Sequence, residues 1–330
     1  MRTLQWALTS ASVSAALLFL TGCSSNPHAP GEKYILVADN TKIAYWQTAL
    51  QGLTKAVSEL GVKGEMQGPD GHDPNGEHDA FRRALAQKPA GILVSATDAN
   101  ILGPDIDSAL GQGIPVITID SDAPDSKRLF FVGTDNFNAG SIGGTLVSKL
   151  IGDKGDVVIF TIASQANLKD RLNGYKAAFA EHPGIKILQV IDMNGNSDIA
   201  FDSAKKLIDS KTKVDAFICL EALACPAVAD VVNRENMGGK VSIVAMDTDP
   251  NTLDWIKKGV ISATIAQKPW TMAYFGAKLV ADIHLHPPKP LAGNWKENSF
   301  APVPAFVDTG TFVVDKNNVG SLSQQPGGGQ

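Results

Sequence analysis

Twice along this chain, short β-branched runs alternate with amphipathic stretches of helical length, and that rhythm limits the fold more than any other feature. The first series opens with an apolar run at 34–38. Over 44–60, Leu50, Leu53, Val57 and Leu60 then recur at three- and four-residue spacing, the repeat of a helix with one buried face. Gly61 stands just past its end, where a left-handed residue is favoured. A polar loop at 67–76, a helix near 77–87, a strand at 91–94, a helix near 101–110 and strands at 115–119 and 130–132 complete the series. The second series has strands at 157–162, 185–191, 216–220 and 241–246, with helices near 167–181, 199–209 and 224–236 between them. Such alternation builds a parallel sheet with helices on both faces. Two series therefore make an α/β chain of two similar doubly wound lobes. Sheets of this kind hold ligands beyond the carboxyl ends of their strands, and two facing lobes would share one cleft.

At those ends the chain puts polar residues: Ser95, Asp120, Glu221 and Asp247 each follow a strand. A carboxylate or serine there can equally cap the next helix. Four together, with aromatic Tyr45 and Trp46 opening the first helix, are more than capping alone requires.

The amino terminus carries an export signal: basic Arg2, an apolar run at 15–20, and small residues before Cys23. The run is too short for a permanent span, which needs about 20 apolar residues. Leu20, Thr21, Gly22 and Cys23 resemble the lipobox of bacterial lipoproteins, in which the cysteine is acylated and residues before it are removed; a plain signal peptide with an incidental cysteine is the alternative. Residues 24–32 then form a flexible tether. The mature protein is expected outside the cytoplasm, periplasmic or at the cell surface, tied to a membrane only through the lipid on Cys23.

About 300 residues remain, enough for two domains. A net charge of −5 argues against a nucleic-acid partner, which draws on clustered Lys and Arg. Cys219 and Cys225 remain for either a local disulfide or two separately buried thiols. None of the six histidines falls on a strand end, and no HExxH, Gly-x-Ser-x-Gly or P-loop Lys is present. His284 and His286 with Asp282 read as surface loop rather than metal site, so neither metal, cofactor nor catalysis is expected.

Residues 113–120, then Val132, Gly133, Thr134, Asp135 and Asn136 with Gly140, resemble the periplasmic sugar-binding proteins of ABC transporters, the ribose-binding type of the type I periplasmic-binding fold. Tyr45 and Trp46 with Gly52, Arg171 with Gly174, residues 244–247, and 263–267 with Pro269 extend the likeness over roughly 33–319. The resemblance implies that Tyr45 and Trp46 lie against a sugar ring, that Asp120 and Asp247 accept hydroxyl hydrogen bonds, and that Arg171, one turn after Asn167, clamps an oxygen. Ser95 and Glu221 stand where the family has amides or Asp, and Gln267 matches an amide at the last hinge.

The resemblance further implies three crossings between lobes, near Thr134, Lys268 and Val307. One lobe then comprises 33–134 with 268–307, the other 135–267 with 308–320, and 321–330 is a disordered tail. Closure over a small sugar or sugar-like solute, by a monomer that docks on an ABC permease and ATPase, is the implied function; handing the solute to a chemoreceptor or sensor kinase is the alternative. Three departures bear on the ligand. Ile43 replaces an Asn of the ribose proteins, Ser121 an Arg, and Glu221 an amide. The pocket is thereby more acidic; a neutral sugar is the first reading, and a ligand with a basic nitrogen the second.

Overall fold

A computed structural model describes residues 26–289 and 301–322. The first lobe runs β1 (Lys33–Val37), α1 (Ala44–Leu60), β2 (Lys63–Gln67), α2 (Pro74–Ala86), β3 (Gly91–Val94), α3 (Ala99–Gly111), β4 (Val116–Ile119) and β5 (Phe131–Gly133). The second runs α4 (Asn136–Ile151), β6 (Lys154–Thr161), α5 (Ala166–Ala180), β7 (Gly184–Asp192), α6 (Ser197–Asp209), β8 (Ala216–Cys219), α7 (Ala224–Arg234), β9 (Ser242–Met246), α8 (Pro250–Lys257) and β10 (Ala263–Ala266). The chain then returns through α9 (Pro269–Leu285) and β11 (Phe306–Asp308) to the first lobe, and ends on the second with β12 (Phe312–Asp315) and α10 (Val319–Leu322).

Each lobe holds one six-stranded sheet, ordered β2-β1-β3-β4-β5-β11 in the first and β7-β6-β8-β9-β10-β12 in the second. All pairings are parallel except β10 with β12. This is the two-lobed doubly wound α/β architecture expected from the sequence. The central strands β3, β4 and β8 are buried along their whole length, as a sheet covered on both faces demands. Helix α1 spans the residues its periodicity marks, buries Trp46, Ala49, Leu53 and Val57, and ends on Gly61 at φ 68°. Burial of a side chain such as Leu53 or Val57 contributes about 1.5–3 kcal/mol.

Glycines set the spacing of the helices that carry the site. A Cβ on Gly140 would lie 2.0 Å from the carbonyl oxygen of Arg171, and one on Gly174 would lie 2.1 Å from that of Phe137. Helices α4 and α5 therefore touch backbone to backbone. A Cβ on Gly52 would likewise lie 2.2 Å from the Trp270 carbonyl oxygen, which fixes α9 against α1.

Several expectations need correction. Residues 26–32 are not a loose tether: Asn26 Nδ2 donates to the Leu60 carbonyl, and His28, buried, meets Glu32 at 2.7 Å. The third crossing falls at 309–311, because Val307 and Asp308 pair with β5 in the first sheet. Residues 321 and 322 close α10 rather than opening a tail. Of the two alternatives open for Cys219 and Cys225, the structure bears out the disulfide. The leader with Cys23, residues 290–300 and the tail from 323 lie outside the described residues.

Candidate functional site

The carboxyl ends of both sheets open onto one shared cleft lined by residues of both lobes. Lobe one contributes Asp39 and Asn40 after β1, Asp120 after β4, and Tyr45 and Trp46 from the start of α1. Lobe two contributes Asn167 and Arg171 on α5, Glu221 after β8, Asp247 after β9, and Gln267 after β10. In both sheets the winding direction reverses between the first strand and its inner neighbour, β1 and β3 or β6 and β8. A crevice forms at such a reversal, because successive helices there pass to opposite faces.

Eight of the nine residues singled out from the sequence line this cavity: Tyr45, Trp46, Asp120, Asn167, Arg171, Glu221, Asp247 and Gln267. Ser95 does not. It is buried behind Asp120 and donates its hydroxyl to Oδ2 at 3.2 Å, its short side chain reaching only that neighbour.

Asp120 and Asp247 hold equivalent places in the two lobes, each directly after the fourth strand of its sheet. Both are left-handed, at φ 62° and 67°. Short polar side chains tolerate that conformation best. The Tyr45 hydroxyl donates to Asp120 Oδ1 at 2.6 Å, and Gln267 Nε2 donates to Asp247 Oδ1 at 3.0 Å. Burial pushes the Asp120 carboxyl above its ordinary pKa, against Tyr45, Arg171 and Ser95, which favour the ionised form. Burial pushes Asp247 further, to about 7, with Arg171 and Gln267 opposing and the charges of Asp120 and Glu221 adding. The Tyr45 phenol is driven well above 10 by burial and Asp120, so it acts as a donor at ordinary pH.

Arg171 is buried and organises lobe two. Its Nη1 donates to the Leu220 carbonyl and its Nη2 to Asn136 Oδ1 and, at 3.2 Å, to Gln267 Oε1. Its Nε has no partner among the described residues. The close approach of α4 and α5 puts Asn136 within reach, and Asn136 in turn donates to the Thr134 carbonyl at the first crossing. The polar chain runs Asn136, Arg171, Gln267, Asp247.

Glu221 caps α7: its two oxygens accept from the Leu223 and Ala224 N–H groups at 2.7 Å each. Burial raises its pKa in spite of those bonds. The disulfide spans the same loop, since Cys219 closes β8 and Cys225 lies in the first turn of α7.

Sequence reasoning missed Asp39, His72, Gln165 and Asn136. Asp39 was findable by the rule that selected Asp120, because it follows the first strand as closely. His72 and Gln165 lie in loops where no pattern marks them, and Asn136, although within the family-like run 132–136, was given no role. Asp39, His72 and Gln165 form a seam between the lobes. His72 Nδ1 lies 3.0 Å from Asp39, and Gln165 of lobe two donates to Asp39 of lobe one at 3.5 Å. A Cβ on Gly195, at φ 73°, would lie 2.3 Å from that of His72. The lobes are closed on each other. Among the described residues no group of three or more His, Cys, Asp or Glu is placed to hold a metal ion.

A two-lobed molecule with one polar cavity at the sheet ends is the architecture of a solute-binding protein. The chain belongs to the periplasmic binding protein family, whose domain matches residues 34–285. It is similar to the D-allose-binding periplasmic protein of Escherichia coli (strain K12), 25% identical over 260 residues that make up 76% of this chain and 84% of that protein. Among solved structures it resembles the sugar-binding protein of a sugar ABC transporter from Bacillus halodurans, with 33% identity and a TM-score of 0.79 over 87% of this chain and 99% of that one. It also resembles AraP, an arabinose-binding protein from Geobacillus stearothermophilus, with 31% identity and a TM-score of 0.75 over 88% and 99%.

Proposed function

We propose that this protein captures a sugar or sugar-like solute between its lobes, outside the cytoplasm, and delivers it to an ABC importer. The observation that carries this reading is the convergence of Trp46, Asp120, Arg171 and Asp247, drawn from both lobes, on one cavity. The arabinose-binding, D-allose-binding and sugar-transporter relatives support it. An indole face suits the C–H surface of a sugar ring, while carboxylates and amides take hydroxyl donors in an enclosed, low-dielectric space. Trp46 supplies the first, Asp120, Asp247 and Asn167 the second, and the Nε–H of Arg171 is a donor for a solute oxygen. Ser95 and Glu221 serve by holding Asp120 and the loop before α7.

Closure supplies the mechanism. The three connections at 134–135, 267–268 and 309–311 absorb the rotation, and each lobe moves as a body. A bridging solute stabilises the closed form because it contacts both walls only there, and this difference in affinity is the whole driving force. Among the described residues that line the cleft there is no Ser, Thr, Cys or Lys to serve as a nucleophile, and the solute leaves unchanged. Export follows from the leader, with Cys23 as the anchoring residue, and a monomer suffices for docking on the permease.

A thermal-shift screen tests the reading. D-allose, arabinose or a related sugar or polyol should raise the melting temperature, by an amount set by ligand concentration over Kd. Trp46→Ala should abolish the shift and any change in indole fluorescence. A screen of sugars, amino sugars and polyols in which nothing raises the melting temperature would contradict it. A permease and ATPase encoded beside this gene fit delivery to an importer; a sensor kinase there fits the signalling alternative.

A further inference from the structure

The charges around the cleft do not balance. Asp39, Asp120, Glu221 and Asp247 line it, against the guanidinium of Arg171 and the ring of His72. His72 is already committed to Asp39, 3.0 Å from its Nδ1. Burial works against charge on that ring, but Asp39, with Glu221 and Asp192 adding, holds its pKa above the ordinary value. The two terminal nitrogens of Arg171 are committed to uncharged acceptors on Leu220, Asn136 and Gln267. Glu221 is compensated by the first N–H groups of α7.

Asp120 and Asp247 are left, one on each wall, with only neutral donors: Tyr45 and Ser95 for the first, Gln267 for the second. Among the described residues no ion pair within 4.0 Å engages either carboxylate. Lys257 stands at an adjoining opening that also borders Asp247, not in the cavity itself.

We infer that the solute this cleft is built for carries a protonated amine on a hydroxylated frame, seated so that Asp120 and Asp247 share its charge. The inference rests on the solute-binding reading above and narrows it. A hydroxyl can donate to either carboxylate but brings no positive charge, and Arg171 is the one guanidinium among the lining residues set against the pair. An ammonium supplies both the charge and up to three donors, and a hydrogen bond between charged partners is about twice as strong as a neutral one. Asp247, held near 7 by burial and by Asp120 and Glu221, against Arg171 and Gln267, would ionise fully on meeting the ammonium. Amine binding should therefore release a proton near neutral pH, and affinity should rise as pH rises through about 7 while the amine stays charged.

Matched pairs that differ only in an amine for a hydroxyl decide the matter: D-glucosamine against D-glucose, D-galactosamine against D-galactose, and 1-amino-1-deoxy-D-sorbitol against D-sorbitol. Calorimetric titration at pH 7.5 should show at least one amine binding about tenfold or more tighter than its partner. In Asp247→Asn, which keeps the left-handed backbone comfortable, that ratio should fall by about tenfold. Hydroxyl members that bind as tightly as the amines, or tighter, would overturn the inference and leave the solute-binding reading standing. Binding by no member of any pair, together with a negative screen of sugars and polyols, would overturn both.

Discussion

Asp120 and Asp247 occupy the same place in two lobes of the same strand order, yet they are held differently. Asp120 accepts from Tyr45 and from Ser95, so both its oxygens are engaged before any solute arrives. Asp247 accepts one side-chain bond, from Gln267, which Arg171 also holds. Lobe one thus presents a preset wall. Lobe two presents an acceptor with spare capacity, wired through Gln267 and Arg171 towards the first two crossings between lobes. The difference suggests a division of labour in which lobe one receives the solute and lobe two responds to it.

The largest way to break this comparison is Arg171→Ala. It strands Asn136, Gln267 and the Leu220 carbonyl without their shared donor, and leaves Asp247 and Glu221 without the one guanidinium near them. Each buried acceptor left without its donor costs about 1–3 kcal/mol. The urea midpoint of lobe two should fall accordingly, with the contacts of Asp120 in lobe one intact. An unchanged midpoint would mean that the polar chain organises nothing.

A smaller effect sharpens the comparison by titration. Asp247 has a pKa of about 7 in the folded protein against an ordinary 3.8, so between those values the folded state binds more proton than the unfolded one. Its contribution to stability is therefore fully present below about 4 and is lost as pH rises to about 7, with a slope of up to roughly 1.4 kcal/mol per pH unit. Asp247→Asn should flatten that slope in urea unfolding measured from pH 5 to 6.5. An equal slope in the variant would place the titrating group elsewhere.

Much of this frame was legible because the hydrophobic period survives in single elements. Helix α1 is marked by its apolar stripe and by Gly61, and the buried strands by unbroken β-branched runs. Helix α4 was not, because Gly140, Gly143 and Gly144 suppress helical propensity to let α5 approach, a purpose visible only once both helices are placed. Strand β2 was missed since an edge strand such as Lys63–Gln67 carries polar side chains like a loop. At the sheet ends, position was readable and role was not. Glu221 caps a helix, Ser95 serves Asp120, and Asp247 does neither, although all three follow a strand in the same way. What separates them is the reach of neighbouring side chains across the fold, which no local pattern encodes.

The measurement that bears most directly on two lobes closing over one solute is a crystal structure of the protein with its tightest-binding ligand. The account predicts a solute between the lobes, against Trp46, with donors within hydrogen-bond distance of both Asp120 and Asp247. A ligand that touches only one lobe, or lies outside this cavity, would contradict it.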